Sequence, residues 1–102
     1  MAVAKRKAVE PPSGQPRIKS VRAEARGRIL DVVWADGQRT QVDFGEPISR
    51  LKIFAPLESP ALFAKVHVIN DGWAIAWTDE IDYSSDALWR LAQRQRQQSA
   101  AQ

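Results

Sequence analysis

Residues 28–44 decide the fold, and they read RILDVVWADGQRTQVDF. Both halves of the segment place inward-facing residues at every second position, which is typical of strands with one buried face. An Asp-Gly pair lies between the halves and is a strong signal for a β-hairpin. The segment therefore predicts two antiparallel strands. The inward positions are Leu30, Val32 and Trp34 in the first half and Thr40, Val42 and Phe44 in the second.

The length of the hairpin loop follows from the phase of the two inward rows. A two-residue loop would place Val42 on the face that carries Asp31. A three-residue loop over residues 35–37 pairs Leu30 with Val42 and puts both rows on one face. We therefore predict the three-residue loop, with Gly37 in the left-handed conformation.

A second hairpin is predicted over residues 65–77, where two short apolar runs flank an Asn-Asp-Gly sequence. Here a two-residue loop of Asp71 and Gly72 pairs Val68 with Ile75. Because this register aligns the large apolar residues, it favours a primed two-residue turn.

One long helix is predicted near the C-terminus, over residues 84–96, with Ser84 as its cap. Three prolines break the stretch 46–63, where Ser59 followed by Pro60 predicts one helical turn. The buried stripe of the long helix is predicted to contain Leu88, Leu91 and Ala92. Apolar cover for the sheet is predicted to come from Ile48, Leu51, Ile53, Phe54, Leu57, Leu62 and Phe63.

The predicted fold class is α+β. An antiparallel sheet of about five strands, made of the two Asp-Gly hairpins and an N-terminal strand at residues 17–25, packs against the C-terminal helix. A chain of 102 residues has room for one domain. Residues 1–16 are predicted to be a disordered basic tail, residues 17–96 the single α+β domain, and residues 97–102 a frayed C-terminus.

The composition excludes several kinds of site. The chain has no cysteine, which removes disulfides, thiolate metal sites and Fe–S clusters, and it has one histidine. His67 is interpreted as a surface residue, because no nucleophile or orienting carboxylate is expected beside it. We therefore expect a non-enzymatic protein without catalytic residues, cofactor or metal site. No apolar run approaches the roughly 18 residues of a membrane span, so we expect a cytoplasmic protein with no membrane partner.

Charge is unevenly distributed along the chain. Residues 1–28 carry a net charge of +6, residues 29–86 of −6 and residues 87–102 of +3. The acidic middle could cover a basic surface of a protein partner, whereas the basic ends could attract nucleic acid. Three adjacent cations in the tail predict only weak, salt-sensitive binding to nucleic acid. These candidate nucleic-acid contacts are Lys5, Arg6 and Lys7.

Four residues are candidates for a partner surface. Trp73 lies next to a turn and Trp89 lies off the main helical stripe, whereas the other two tryptophans are in phase with the core. Asp79 and Glu80 follow the second hairpin and are assigned to the same surface. With Asp82 they could also ligate a hard cation, but an exposed turn is the favoured interpretation.

The order and spacing of these motifs resemble the small bacterial family catalogued as domain of unknown function 2442, over residues 18–92. The matching pattern is Leu30-x-Val32-x-Trp34-x-Asp36-Gly37, Val42-x-Phe44, Pro56-Leu57, Phe63, Val66-x-Val68, Gly72, Ile75-x-Trp77, Ile81-Asp82 and Leu88. The resemblance implies a β-rich α+β domain with no established active site. Members of that family occur alone, ahead of a helix-turn-helix, or beside a small toxin-like protein.

The resemblance implies one concrete function, the antitoxin half of a toxin–antitoxin pair. The partner would be a small toxin-like protein, and the mechanism would be occlusion of its functional surface. Because the chain ends soon after Leu91, we expect no helix-turn-helix in it. The alternative function is a nucleic-acid-associated transcriptional regulator that uses its basic termini.

Overall fold

A computed structural model describes residues 16–24 and 27–100 of the chain, with side chains up to Gln97. The predicted tail lies almost wholly outside these residues, as do Lys5, Arg6 and Lys7. The described strands are β1 (Ile18–Ala23), β2 (Ile29–Trp34), β3 (Arg39–Asp43), β4 (His67–Ile69), β5 (Ala74–Thr78) and β6 (Ile81–Ser84). The described helices are α1 (Gly45–Arg50), α2 (Pro60–Phe63) and α3 (Ser85–Ala100), with 3-10 segments at Lys52–Glu58 and Asn70–Gly72.

The first hairpin has the predicted register. Leu30 pairs with Val42, and the Trp34 N–H donates to the Gln38 carbonyl at 2.8 Å. The loop therefore has three residues, and Gly37 adopts a φ of +96°. The phase argument from the sequence is confirmed here, because only this loop length buries both inward rows.

The second hairpin also has the predicted register, since Val68 pairs with Ile75. The Trp73 N–H donates to the Asn70 carbonyl at 3.0 Å and closes the turn. Both central residues, Asp71 and Gly72, have positive φ, as in a type I′ turn.

The prediction of one sheet of about five strands is not confirmed. The described strands form two three-stranded antiparallel sheets, β1-β2-β3 and β4-β5-β6. β1 lies beside β4, but the register of β1 is irregular between Ile18 and Ser20. β4 has only three residues and leads directly into the 3-10 segment. Among the described residues, no backbone ladder joins β1 to β4.

The strand β6 was missed by the sequence analysis because it is short and runs directly into α3. Ile81 is buried and Tyr83 half-buried, whereas Asp82 and Ser84 are exposed. This alternation over four residues was the only available signal.

A cluster of aromatic rings joins the two sheets into one core. Phe44, which follows β3, is fully buried. Its ring lies 5.2 Å from that of Trp77 and 4.9 Å from that of Tyr83, both in the second sheet. Phe54 completes the cluster at 5.3 Å from Phe44. The predicted core positions Trp34, Trp77, Leu88, Leu91 and Ala92 are buried.

Part of the predicted apolar cover is wrong. Leu51 and Ile53 have exposed fractions of 42% and 58%, whereas Phe54 and Leu57 are buried. Residues three apart share a face of a 3-10 helix, so Phe54 and Leu57 point together into the core. Ile53 lies on another face, and Leu51 precedes the helix in an extended conformation.

Helix α3 covers the outer edge of β3 through one side chain. The Gln95 Oε1 accepts the N–H of Asp43 at 2.9 Å, and the Gln95 Nε2 donates to the carbonyl of Asp43 at 2.8 Å. Both backbone groups of an edge residue are therefore satisfied by the helix rather than by a strand.

Two adjacent serines at the start of α3 have opposite environments. The Ser84 Oγ accepts the Ala87 N–H at 3.1 Å, as predicted for the cap. Ser85 is fully buried, and its hydroxyl has no hydrogen-bond partner among the residues that the structure describes.

These environments predict opposite effects of the same substitution. We expect Ser84→Ala to lower the free energy of unfolding by about 1 kcal/mol, because it removes a cap. We expect Ser85→Ala to leave it unchanged or raise it by up to about 1 kcal/mol, because it removes an unsatisfied buried hydroxyl. Urea unfolding of both variants measures the difference. Equal losses of stability would contradict the second expectation.

Candidate functional site

The structure brings the two candidate tryptophans to one end of the molecule. The Ser85 N–H donates to the carbonyl of Trp73 at 2.8 Å, so Trp73 lies at the start of the helix that carries Trp89. The ring of Trp89 meets Trp34 edge-on at 5.0 Å. The residue after Trp34 donates its N–H to the Arg17 carbonyl, and the Arg17 guanidinium lies 5.4 Å from the Trp73 ring. We call Arg17, Trp73 and Trp89 the tryptophan end.

Trp73 is presented by a turn with an unusual backbone. Asn70, Asp71 and Gly72 all have left-handed φ values, of 53°, 56° and 96°. Such conformations cost on the order of 1–3 kcal/mol each in a non-glycine residue and persist only where neighbours hold them. The Arg17 Nε donates to the Asp71 carbonyl at 2.8 Å and so helps to hold the turn. Trp73, which is 40% exposed, is therefore presented from a backbone that Arg17 helps to hold.

Trp89 is the less accessible of the two tryptophans. It is half-buried and packs against the hydrophobic core beside Trp34. Trp89 therefore contributes mainly to the packing of α3, whereas Trp73 has the larger exposed apolar surface.

The acidic pair does not join the tryptophan end. Asp79 and Glu80 are exposed in the turn between β5 and β6. Trp73 precedes the other end of β5, about 20 Å away along the strand at the usual rise per residue. The Thr78 hydroxyl accepts the Glu80 N–H at 3.1 Å and orders the acidic turn. The four residues predicted as one partner surface therefore lie at two separate places.

Folding mixes the charges that are separated along the sequence. Basic residues of both ends form ion pairs with acidic residues of the middle segment, and all of these pairs are at least partly exposed. The described residues contain as many acidic as basic side chains. The broad acidic body expected from the sequence is therefore largely neutralised. The pairs between segments are Arg22–Asp31 at 3.4 Å, Arg28–Glu58, Arg90–Asp86 and Arg94–Glu46 at 3.7 Å.

A second constellation, which the sequence analysis missed, lies where α1, β6 and α3 meet. Glu46 Oε2 lies 3.6 Å from the Arg50 Nε, and Glu46 Oε1 lies 3.7 Å from the Arg94 Nη2. The charges of Arg50, Arg90, Arg94 and Glu46 all act on the Tyr83 hydroxyl. We call these five residues the arginine cluster. Glu46 and Arg50 have the i,i+4 spacing of a helical pair, as do Arg90 and Arg94, but only the fold brings the two helices together.

The family is shown by comparison with known protein families. The family model DUF2442, described as a protein of unknown function, matches residues 18–94. The chain belongs to the DUF2442 family. The resemblance found in the sequence pattern is thereby confirmed. No protein with a curated functional description matches this DUF2442 chain.

One solved structure is similar to the DUF2442 chain. It is the crystal structure of a protein from Nitrosomonas europaea described as a "putative DNA binding protein". The two chains are 27% identical with a TM-score of 0.71, and the match covers 80% of this chain and 52% of the other. This chain therefore spans about half the length of the solved protein.

Burial raises the pKa of Tyr83 in the DUF2442 domain above its ordinary value. Glu46 acts in the same direction, while Arg94, Arg50 and Arg90 oppose the shift. Tyr83 is the only tyrosine of the chain, so tyrosinate absorbance reports it directly.

The shift predicts a loss of stability at alkaline pH. The folded chain holds the Tyr83 proton at pH values where the unfolded chain has lost it. The stabilisation is therefore complete below the unfolded pKa of about 10 and declines as the pH rises beyond it. We expect an alkaline absorbance titration of the native protein to have a higher midpoint than one in denaturant. A native midpoint at or below the denatured one would contradict this expectation.

The remaining candidates from the sequence are the carboxylates of the possible cation site and the single histidine. Among residues 16–24 and 27–100, no three His, Asp or Glu side chains converge as metal ligands would. His67 is exposed, and its Nδ1 lies 2.9 Å from the Lys65 carbonyl oxygen. None of the helices described is long and apolar enough to cross a membrane.

Proposed function

We propose that this DUF2442 domain is a non-enzymatic binding module whose tryptophan end docks a protein partner. The observation that carries the proposal is Trp73, which is exposed beside the Arg17 guanidinium on a turn that Arg17 holds. Tryptophan and arginine are the residue types that most often dominate binding energy at interfaces. A side chain that is ordered before binding also loses less conformational entropy on docking.

The partner that we propose is a small toxin-like protein, and the domain would then be its antitoxin. The family resemblance supports this choice, because some members lie beside such proteins. Docking at the tryptophan end would act by covering the functional surface of the partner. Ion pairing in the fold leaves little net acidic field, so we assign the docking energy to Trp73 and Arg17 rather than to Asp79 and Glu80.

Co-expression with the product of the neighbouring gene tests this proposal. We expect co-purification of the two proteins and rescue of growth by the wild-type domain. Trp73→Ala should weaken the complex by about 30-fold, as expected for a hot-spot residue. Ile53→Ala is the matched control, since it removes a more exposed apolar side chain elsewhere. Absence of a complex, or equal affinities of the two variants, would rule the proposal out.

A second candidate function is a nucleic-acid-associated transcriptional regulator. One observation favours it, namely that the similar solved protein is described as DNA-binding. The match covers about half of that protein, so its DNA binding can reside inside or outside the matched part. A mobility-shift series in rising salt tests this candidate. If binding keeps a sequence preference at about 0.15 M salt, the candidate is supported. If binding is lost steeply as the salt concentration rises, the candidate is rejected.

A further inference from the structure

We propose that the arginine cluster is a binding site for a phosphate group. Three elements contribute to it: α1 supplies Glu46 and Arg50, β6 supplies Tyr83, and α3 supplies Arg90 and Arg94. The site is distinct from the tryptophan end, and its argument does not depend on the proposed docking function.

The cluster holds more hydrogen-bond donors than acceptors. Glu46 attracts both Arg50 and Arg94, yet its oxygens lie 3.6 and 3.7 Å from their nitrogens, beyond hydrogen-bond distance. Each guanidinium carries five N–H donors. One carboxylate therefore leaves most of the donors of both arginines to water.

The third element, β6, places the ring of Tyr83 in a fixed position. Its ring is held edge-on against Phe44 at 4.9 Å and against Phe54 at 5.6 Å. No hydrogen bond from its hydroxyl to another described residue is present in the structure. Because burial and Glu46 favour the protonated phenol, the hydroxyl is a donor at neutral pH.

The two arginines that face Glu46 are accessible to a ligand. The side chains of Arg50 and Arg94 have exposed fractions of 63% and 52%. Arg90 is paired with Asp86 within α3 and adds a third positive charge to the cluster. Guanidinium forks match the oxygens of phosphate in bidentate geometry. A phosphate could therefore take donors from Arg50 and Arg94 and displace Glu46.

Phosphate fits the cluster better than a second carboxylate. A carboxylate offers two oxygens in one plane, and Glu46 already fills this role without a hydrogen bond to either arginine. A phosphate offers oxygens in tetrahedral directions and can meet donors from both helices at once. The phosphate can belong to a nucleic-acid backbone or to a free phosphate or monoester.

Titration of the labelled full chain with inorganic phosphate tests the site. In an NMR experiment at matched ionic strength, we expect saturable shifts of the Arg50 and Arg94 side-chain Nε–H signals. Arg50→Ala and Arg94→Ala should each weaken phosphate binding by about tenfold, the effect of losing one charge-assisted pair of hydrogen bonds. Arg39→Ala is the matched control, because Arg39 is an exposed arginine at the start of β3, the end of that strand opposite to α1.

A second arm with a DNA duplex identifies the source of the phosphate. Duplex binding weakened about tenfold by Arg94→Ala and unaffected by Arg39→Ala would support the site and assign it to backbone phosphates. A response to inorganic phosphate alone would support the site and assign it to a free phosphate or monoester. Shifts that chloride reproduces, or that affect every arginine alike, would overturn the proposal. The Trp73→Ala variant should behave as wild type in both arms, which separates this test from that of docking.

Discussion

Gly72→Ala is expected to lower the free energy of unfolding by about 3 kcal/mol or more. A Cβ at Gly72 would lie 2.5 Å from the carbonyl oxygen of Ile18 and 3.3 Å from its nitrogen. These are backbone atoms of β1, so they cannot move aside as a flexible side chain would. The φ of +96° adds the strain of an L-residue in the left-handed region.

Gly37→Ala separates the two contributions. Gly37 has the same φ of +96°, but a Cβ there would meet no atom within 4 Å. We expect this control to lose only about 1–2 kcal/mol, the cost of the left-handed conformation. Denaturant unfolding of both variants gives the difference, which measures how tightly the turn packs on β1. Equal losses would mean that β1 and the turn do not meet as closely as the structure shows.

Phe44→Ala is expected to lower the free energy of unfolding by about 3–5 kcal/mol. Phe44 is fully buried and contacts aromatic rings of both the second sheet and the 3-10 segment. Because its ring bridges the sheets, its loss leaves a cavity at the joint between them. The free energy of unfolding of a typical domain is about 5–15 kcal/mol, so a loss of this size is a large part of it.

The bridging role of Phe44 is tested by the form of the unfolding curve. We expect one cooperative transition in the wild type, and a shifted or partly unfolded baseline in Phe44→Ala. Ile53→Ala, with 58% of its residue surface exposed, should change the stability by no more than about 0.5 kcal/mol. A Phe44→Ala variant as stable as Ile53→Ala would show that the two sheets fold without this joint.

The hairpins could be predicted from the sequence because their registers depend on local phase. In each hairpin, one loop length aligns the large apolar residues and the other does not. The pairs Leu30–Val42 and Val68–Ile75 follow from this rule alone. The caps at Ser59 and Ser84 were predictable for the same reason, since a cap depends on residues within one helical turn.

Features that depend on distant parts of the chain could not be predicted. β1 and β4 lie side by side without pairing, and no sequence pattern indicates this because the two strands are distant in the chain. The ion pairs that neutralise the middle segment join residues such as Arg28 and Glu58, which only the fold brings together. The arginine cluster was missed for the same reason, because Arg50 and Arg94 lie on different helices.

The contact between Gln95 and Asp43 has a consequence for the behaviour of the protein at high concentration. An edge strand with unsatisfied backbone groups is a template for intermolecular pairing and aggregation. By occupying both backbone groups of Asp43, the glutamine shortens the stretch of β3 that another copy of the chain could extend. Helix α3 thereby protects this edge of the sheet from self-association, but only while the helix remains packed against the sheet.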